Sequence, residues 1–125
     1  MDETFGATIR RHRQRQGLGL RQYARHLGVS ASYLSSIERD TCAAPAEHHI
    51  RTIARDLSLD PDTLLAQGGR VATDLQDIIR HRPRPLAALL RSAQTLTTEE
   101  LTALTTAIRD VTKRRTLHGA RRYGL

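Results

Sequence analysis

The chain is short of almost everything that would place it among enzymes, secreted scaffolds or membrane proteins. It has one cysteine, Cys42, in 125 residues, so no disulfide framework and no CxxC metal pattern is available within it. It has no tryptophan, one phenylalanine and three tyrosines. Its core must therefore be built from Leu, Ile, Val and Ala, with Phe5 as an anchor. No apolar run approaches the roughly 18 residues of a membrane helix, and no signal-peptide core is present. Strand-favouring residues are sparse, which points to an all-α protein. No Gly-rich phosphate loop, paired catalytic acids or nucleophile–base set stands out, so the reading is non-enzymatic, with no cofactor and no metal site. His48-His49 is read as a surface pair, because adjacent helical positions do not chelate as i, i+4 positions do. A cytoplasmic location is expected.

Acid is scarce where base is abundant. Nineteen arginines and one lysine face 13 acids, for a net charge of +7. Four of those arginines lie between residues 10 and 15, and no acid follows them until Glu38. Such a balance favours nucleic acid or another anionic partner. Arginine suits bidentate contacts to phosphate and guanine.

What the chain does have is apolar residues at helical spacing. Helix one is expected from about Thr4 to Gln16, closed by Gly17. Leu20, Tyr23, Ala24 and Leu27 share one face of a second helix. Gly28 can end it in a left-handed conformation. Ser30 then caps a third helix, Ala31 to Arg39, which buries Leu34 and Ile37. Its other face carries Ala31, Ser32, Ser35, Ser36 and Arg39. Short hydroxyls and an arginine allow close approach to another surface, of which the DNA major groove is one. A fourth helix is expected from Pro45 to about Leu57, and a fifth from Pro61, capped by Asp60 and ended by Gln67-Gly68-Gly69.

The spacing places a domain boundary there, giving 1–69, a helical region 70–113 and a basic tail 114–125. The second region reads as three short helices. One runs from Asp74 to His81. The prolines at 83 and 85 then break the chain, and the next helix runs from Leu86 to about Gln94. The last opens on a capping box, Thr97 with Glu100, and runs to about Lys113. These helices bury little alone. Leu101, Leu104, Ile108 and Val111 form the expected dimer seam, with Leu86, Leu89 and Leu90 beside it. The tail is expected to be weakly ordered, its Arg114, Arg115, Arg121 and Arg122 available to minor groove or phosphate.

Residues 5–66 resemble the lambda-repressor-like, or xenobiotic-response-element, helix-turn-helix family. The resemblance is carried by Ile9-Arg10-Arg11, Gly17-Leu18, Tyr23-Ala24, Leu27-Gly28-Val29-Ser30 and the run Tyr33-Leu34-Ser35-Ser36-Ile37-Glu38-Arg39. Pro45, Ile53-Ala54, Leu57 and Leu64-Leu65 complete it. It implies a five-helix domain that binds double-stranded DNA, usually as a homodimer on an inverted repeat. Family base contacts fall on Ala31, Ser32 and Ser36, flanked by Tyr33 and Ser35, and Ser30 starts the recognition helix. Arg39 fits a phosphate. The usual polar cap and phosphate-contacting Gln of the second helix are Gly19 and Leu20 here, leaving Arg21 or Gln22 to supply a side chain. The family's buried ion pair corresponds to Arg13 and Glu38, and Asp40 stands where glycine is common. The expected function is a sequence-specific transcriptional regulator acting as a dimeric repressor. The alternative is a protein-interaction module, antitoxin-like, whose C-terminal helices bind another protein while DNA binding serves autoregulation.

Overall fold

The computed structural model describes the backbone of residues 3–122 and the side chains of 3–117. Eight α-helices follow one another: α1 (Phe5–Arg15), α2 (Leu20–Leu27), α3 (Ala31–Glu38), α4 (Glu47–Asp56), α5 (Pro61–Gln67), α6 (Thr73–His81), α7 (Pro83–Ala93) and α8 (Thr98–Arg122). No strand occurs among the described residues. The chain divides into two compact units, Met1–Ile78 and Ile79–Leu125.

The first unit holds the core. Phe5 and Ile9 of α1, Tyr23 and Ala24 of α2, and Leu34 and Ile37 of α3 meet the leucines and isoleucines of α4 and α5. Aliphatic packing around two aromatic rings is what the composition dictates. Helix ends follow their local chemistry. Thr4, Ser30 and Asp60 each accept a hydrogen bond from the backbone N–H three residues on, at 3.1, 3.1 and 2.8 Å. Gly28 adopts φ 75°, ψ 27° and closes α2.

This unit extends past residue 69 because the next segment is tied back to it. The Arg70 guanidinium donates to the Ala44 carbonyl, and Glu47 accepts from the Thr73 backbone N–H at 2.7 Å. Ala72 is buried in the core.

Three helix boundaries differ from expectation. Pro45 is buried but lies outside α4, whose N-cap is Ala46. The break before α7 is confined to Arg82 (φ −142°, ψ 68°), and the helix begins at Pro83. A proline in the first turn lacks a donor that would be unpaired anyway, so the double proline starts this helix rather than delaying it. The segment from Arg114, expected as a separate tail, continues α8 to Arg122. Lys, Arg, Ala and Leu are good helix formers, and cations suit a helix C-terminus. The side chains of Arg121 and Arg122 lie outside those described.

In the second unit α7 and α8 have no fully buried residue among the described side chains. Leu86 is half-buried, while Leu89, Leu90, Leu101, Leu104, Ile108 and Val111 are exposed.

Candidate DNA-binding site

The turn between α2 and α3 is built from backbone. Gly28 N–H donates to the Arg25 carbonyl at 3.1 Å and Val29 N–H to the Ala24 carbonyl at 3.0 Å, and Val29 packs against the core. Ser30 then stands in extended geometry and caps α3. Two eight-residue helices are so joined by three residues, with Tyr23 and Ala24 buried on one and Leu34 and Ile37 on the other.

The far end of α3 is fixed to α1 by three devices. Arg13 and Glu38 form a bidentate ion pair, Nε to Oε2 at 2.7 Å and Nη2 to Oε1 at 2.9 Å. Their side chains are only 8% and 4% exposed, and Arg13 also donates to the Leu18 carbonyl at 2.7 Å. The hydrogen bonds that Arg13 donates to the Glu38 carboxylate push the Arg13 pKa above its usual value. Asp40 adopts the left-handed region at φ 57°, and its carboxylate accepts from Thr4 Oγ1 at 2.6 Å and Gly6 N–H at 2.9 Å. Gly6 lets the helices touch. A Cβ there would run into the Ile37 carbonyl and lie 2.5 Å from that of Glu38.

Beside α2, the Tyr23 hydroxyl donates to Asp56 at 3.1 Å, and His26 Nε2 lies 3.1 Å from the same carboxylate. Burial, then the charge of Asp56, raises the Tyr23 pKa far above the ordinary tyrosine value.

With its core face and its C-terminus held, α3 presents the rest outward. Ser30, Ser32, Tyr33 and Arg39 are exposed; Ala31, Ser35 and Ser36 are half-buried. Ala31 packs partly on the core, so a reader at this position has a methyl edge at most. Arg39 folds back along its helix, with a long 3.4 Å bond from Nε to the Ser35 carbonyl. Arg21 and Gln22 are exposed on the first turn of α2, whose N-cap Gly19 offers no side chain to its amides. The seven α3-side candidates thus line one helix, and the two on α2 stand apart at that helix's start.

The basic run of α1 is divided. Arg11 is clamped by Glu3 through two 2.8 Å bonds, which lowers the Glu3 pKa. Arg13 is buried. Arg10 and Arg15 are exposed, with no ion pair among the described residues. Sequence reasoning did not find the roles of Glu3, Gly6 and Asp56. Gly6 carried a usable signal, because a glycine inside the first turn of an amphipathic helix marks a close backbone approach. Nothing local pointed to Asp56 as the shared partner of Tyr23 and His26.

A small helical domain with a capped, three-residue turn between two short helices, the second facing outward with its C-terminus clamped, is the architecture of a helix-turn-helix DNA-binding regulator. A model of the helix-turn-helix domain matches residues 4–67. The HTH-type transcriptional regulator SinR of Bacillus licheniformis is 28% identical over 82 residues, covering 61% of this chain and 74% of that protein. A crystal structure of SinR, the master regulator for biofilm formation, in complex with DNA is 34% identical. It covers 50% of this chain and 98% of that one, with a TM-score of 0.45. A SinR–SinI protein complex is 22% identical, covering 90% of this chain and 98% of that one, with a TM-score of 0.46. The chain belongs to the helix-turn-helix domain family, and it is a DNA-binding transcriptional regulator.

Among the described residues no helix is long and apolar enough to cross a membrane. The same residues hold no cluster of three or more metal-ligating side chains.

Proposed function

We propose that the protein is a cytoplasmic, non-enzymatic repressor that occupies an inverted-repeat operator as a homodimer, with α3 in the major groove. The observation that carries this reading is the exposed polar edge of α3, rigidly held by the Arg13–Glu38 pair at one end and the Ser30 cap at the other. Ser32 and Ser36 are the base contacts, flanked by Ala31, Tyr33 and Ser35. Arg39, Arg21 and Gln22 meet phosphate, with Ser30 at the groove-facing helix start. Single hydroxyls donate or accept at several bases, so they discriminate weakly. Sequence choice then leans on DNA shape and on the pairing of two half-sites. The second unit supplies the twofold contact through Leu101, Leu104, Ile108 and Val111, with Leu86, Leu89 and Leu90 alongside.

The test is a binding titration against the promoter of the protein's own gene at several salt concentrations. Phosphate contacts release counterions, so affinity falls steeply as salt rises. Arg21→Ala is expected to reduce the salt slope by about one and to weaken all sequences alike. Ser36→Ala is expected to lower the specific affinity with little change in slope. A flat salt response refutes the reading.

The exposed apolar faces of α7 and α8 also support a second reading, in which another protein docks there and DNA binding serves autoregulation. Deleting 79–125 separates the two, because only the second predicts a lost partner with operator affinity unchanged.

A further inference from the structure

The outward stripe of α8 has a periodicity that selects how two copies meet. Leu101, Leu104, Ile108 and Val111 are spaced three, four and three apart, and each is at least 40% exposed. Such spacing is the a and d pattern of a left-handed coiled coil, with Leu101 and Ile108 at a and Leu104 and Val111 at d. The pattern continues into Arg115 at the next a position, and that residue decides the orientation.

In a parallel pair, Arg115 stacks against Arg115 of the second copy at a core layer, and Glu100 at g faces Thr105. Like charges meet in the seam and the acid has no cationic partner. In an antiparallel pair, a layers meet d layers. Leu101 lies opposite Val111 of the second copy, and Leu104 opposite its Ile108. The g positions then face each other: Glu100 opposite Arg114 of the second copy, twice by symmetry, with Ala107 against Ala107 at the centre, where a small side chain permits close approach. Both ends of this arrangement keep capacity for a partner in the single chain. Glu100 Oε1 accepts from the Thr97 N–H at 2.9 Å, which leaves Oε2 unengaged among the described residues. Arg114 is exposed and makes no ion pair among them.

We propose that α8 pairs antiparallel with α8 of a second copy of this chain, in the register that sets Glu100 against Arg114. The choice of a second copy follows from self-complementarity: both the apolar layers and the flanking charges match under a twofold axis, as an isologous interface requires. The proposal rests on the homodimer reading and sharpens it.

The experiment is sedimentation of the full-length chain, wild type and two charge variants, Glu100→Arg and Arg114→Glu. Each variant alone places like charges at both flanking sites and is expected to weaken the dimer about tenfold. An equimolar mixture restores Arg–Glu pairing at both sites and is expected to recover most of the lost affinity. A parallel pair predicts no recovery, because residues 100 and 114 then lie about 21 Å apart along the helix. Circular dichroism of each variant checks that the lost Glu100 cap has not unwound α8. A dimeric wild type whose variants do not rescue one another overturns the antiparallel register and leaves the homodimer reading intact. A monomeric wild type, with the stripe covered by some other protein, overturns both.

Discussion

At the scale of residues, the clamp between α1 and α3 dominates. Arg13 and Glu38 are shielded from water and satisfy one another. Removing one partner leaves a buried charge without compensation, which costs about 3–5 kcal/mol. Glu38→Gln is therefore expected to lower the urea midpoint strongly. Replacing both, as Arg13→Met with Glu38→Leu, is expected to recover much of that loss, because the desolvation of two charges disappears with their attraction. If the double variant is no more stable than the single one, the bond from Arg13 to the Leu18 carbonyl, lost in the double variant alone, carries the stability in place of the pair. Gly6 gives a second prediction. Gly6→Ala pushes a methyl into the carbonyls at the end of α3, and overpacking of this kind costs about 1–3 kcal/mol. Operator affinity should fall further than stability alone explains, since α3 must tilt to make room. Thermal melts and a binding titration on the same variant check this.

Much of this clamp was legible in the sequence and part was not. Arg13 with Glu38 followed from resemblance over an ordered set of positions, and the structure brings the two together. Asp40 was recognisable as a residue able to adopt the left-handed region, but its reach to Thr4 and Gly6 spans more than thirty residues. No local pattern encodes such a contact. The arginines of α1 look alike in sequence, yet Arg11 and Arg13 are held by carboxylates while Arg10 and Arg15 are open to solvent. Which arginine faces phosphate is decided by tertiary packing that charge counting cannot supply.

At the scale of elements, helix termini carry the readable chemistry, and several depend on ionised carboxylates. Glu47 accepts from the N–H of Thr73, the first residue of α6, Asp60 from the Thr63 N–H in α5, and Glu100 from the Thr97 N–H at the start of α8. These backbone bonds are the leading cause that lowers each pKa below its ordinary value, 4.5 for the glutamates and 3.8 for the aspartate. A lowered folded-state pKa means that the unfolded chain takes up protons first as pH falls. Stability from these caps is therefore present above about pH 4.5 and is lost as pH drops through the lowered folded values. Melting temperature is expected to be flat from pH 7 to 5 and to decline below 4.5. Asp60→Asn, which keeps an acceptor without the titrating proton, is expected to flatten part of that decline. The same logic explains why caps were predictable. A Ser, Asp or Thr followed by a donor three residues on is a local motif, whereas the start of α4 depended on where buried Pro45 could fit. The extension of α8 shows the limit from the other side. Without a proline, the basic stretch keeps its helical preference beyond the last apolar layer.

At the scale of the whole molecule, the proposed homodimer divides affinity for DNA between two units. The first contains the buried core and α3, the proposed reading helix. Among its described side chains, α7 and α8 of the second carry exposed apolar faces and no buried residue, which suits the proposed role of a surface that meets another. A fragment of residues 1–78 is accordingly expected to fold, with a cooperative thermal transition and the helix content of α1 to α5 and the first six residues of α6. Its reading face is plain, because alanine and serines offer few bidentate contacts. One such face binds weakly, and two held together gain by effective concentration, often by factors of about 10² or more. The fragment is expected to lose that gain on a two-half-site operator while matching the full chain on a single half-site. Its salt slope on the full operator should be about half, because the slope counts the phosphates neutralised in each binding event. Anisotropy titrations of both proteins on both DNAs provide the four affinities required. A fragment that binds the full operator as tightly as the intact chain would show that the second unit serves some purpose other than joining two reading heads.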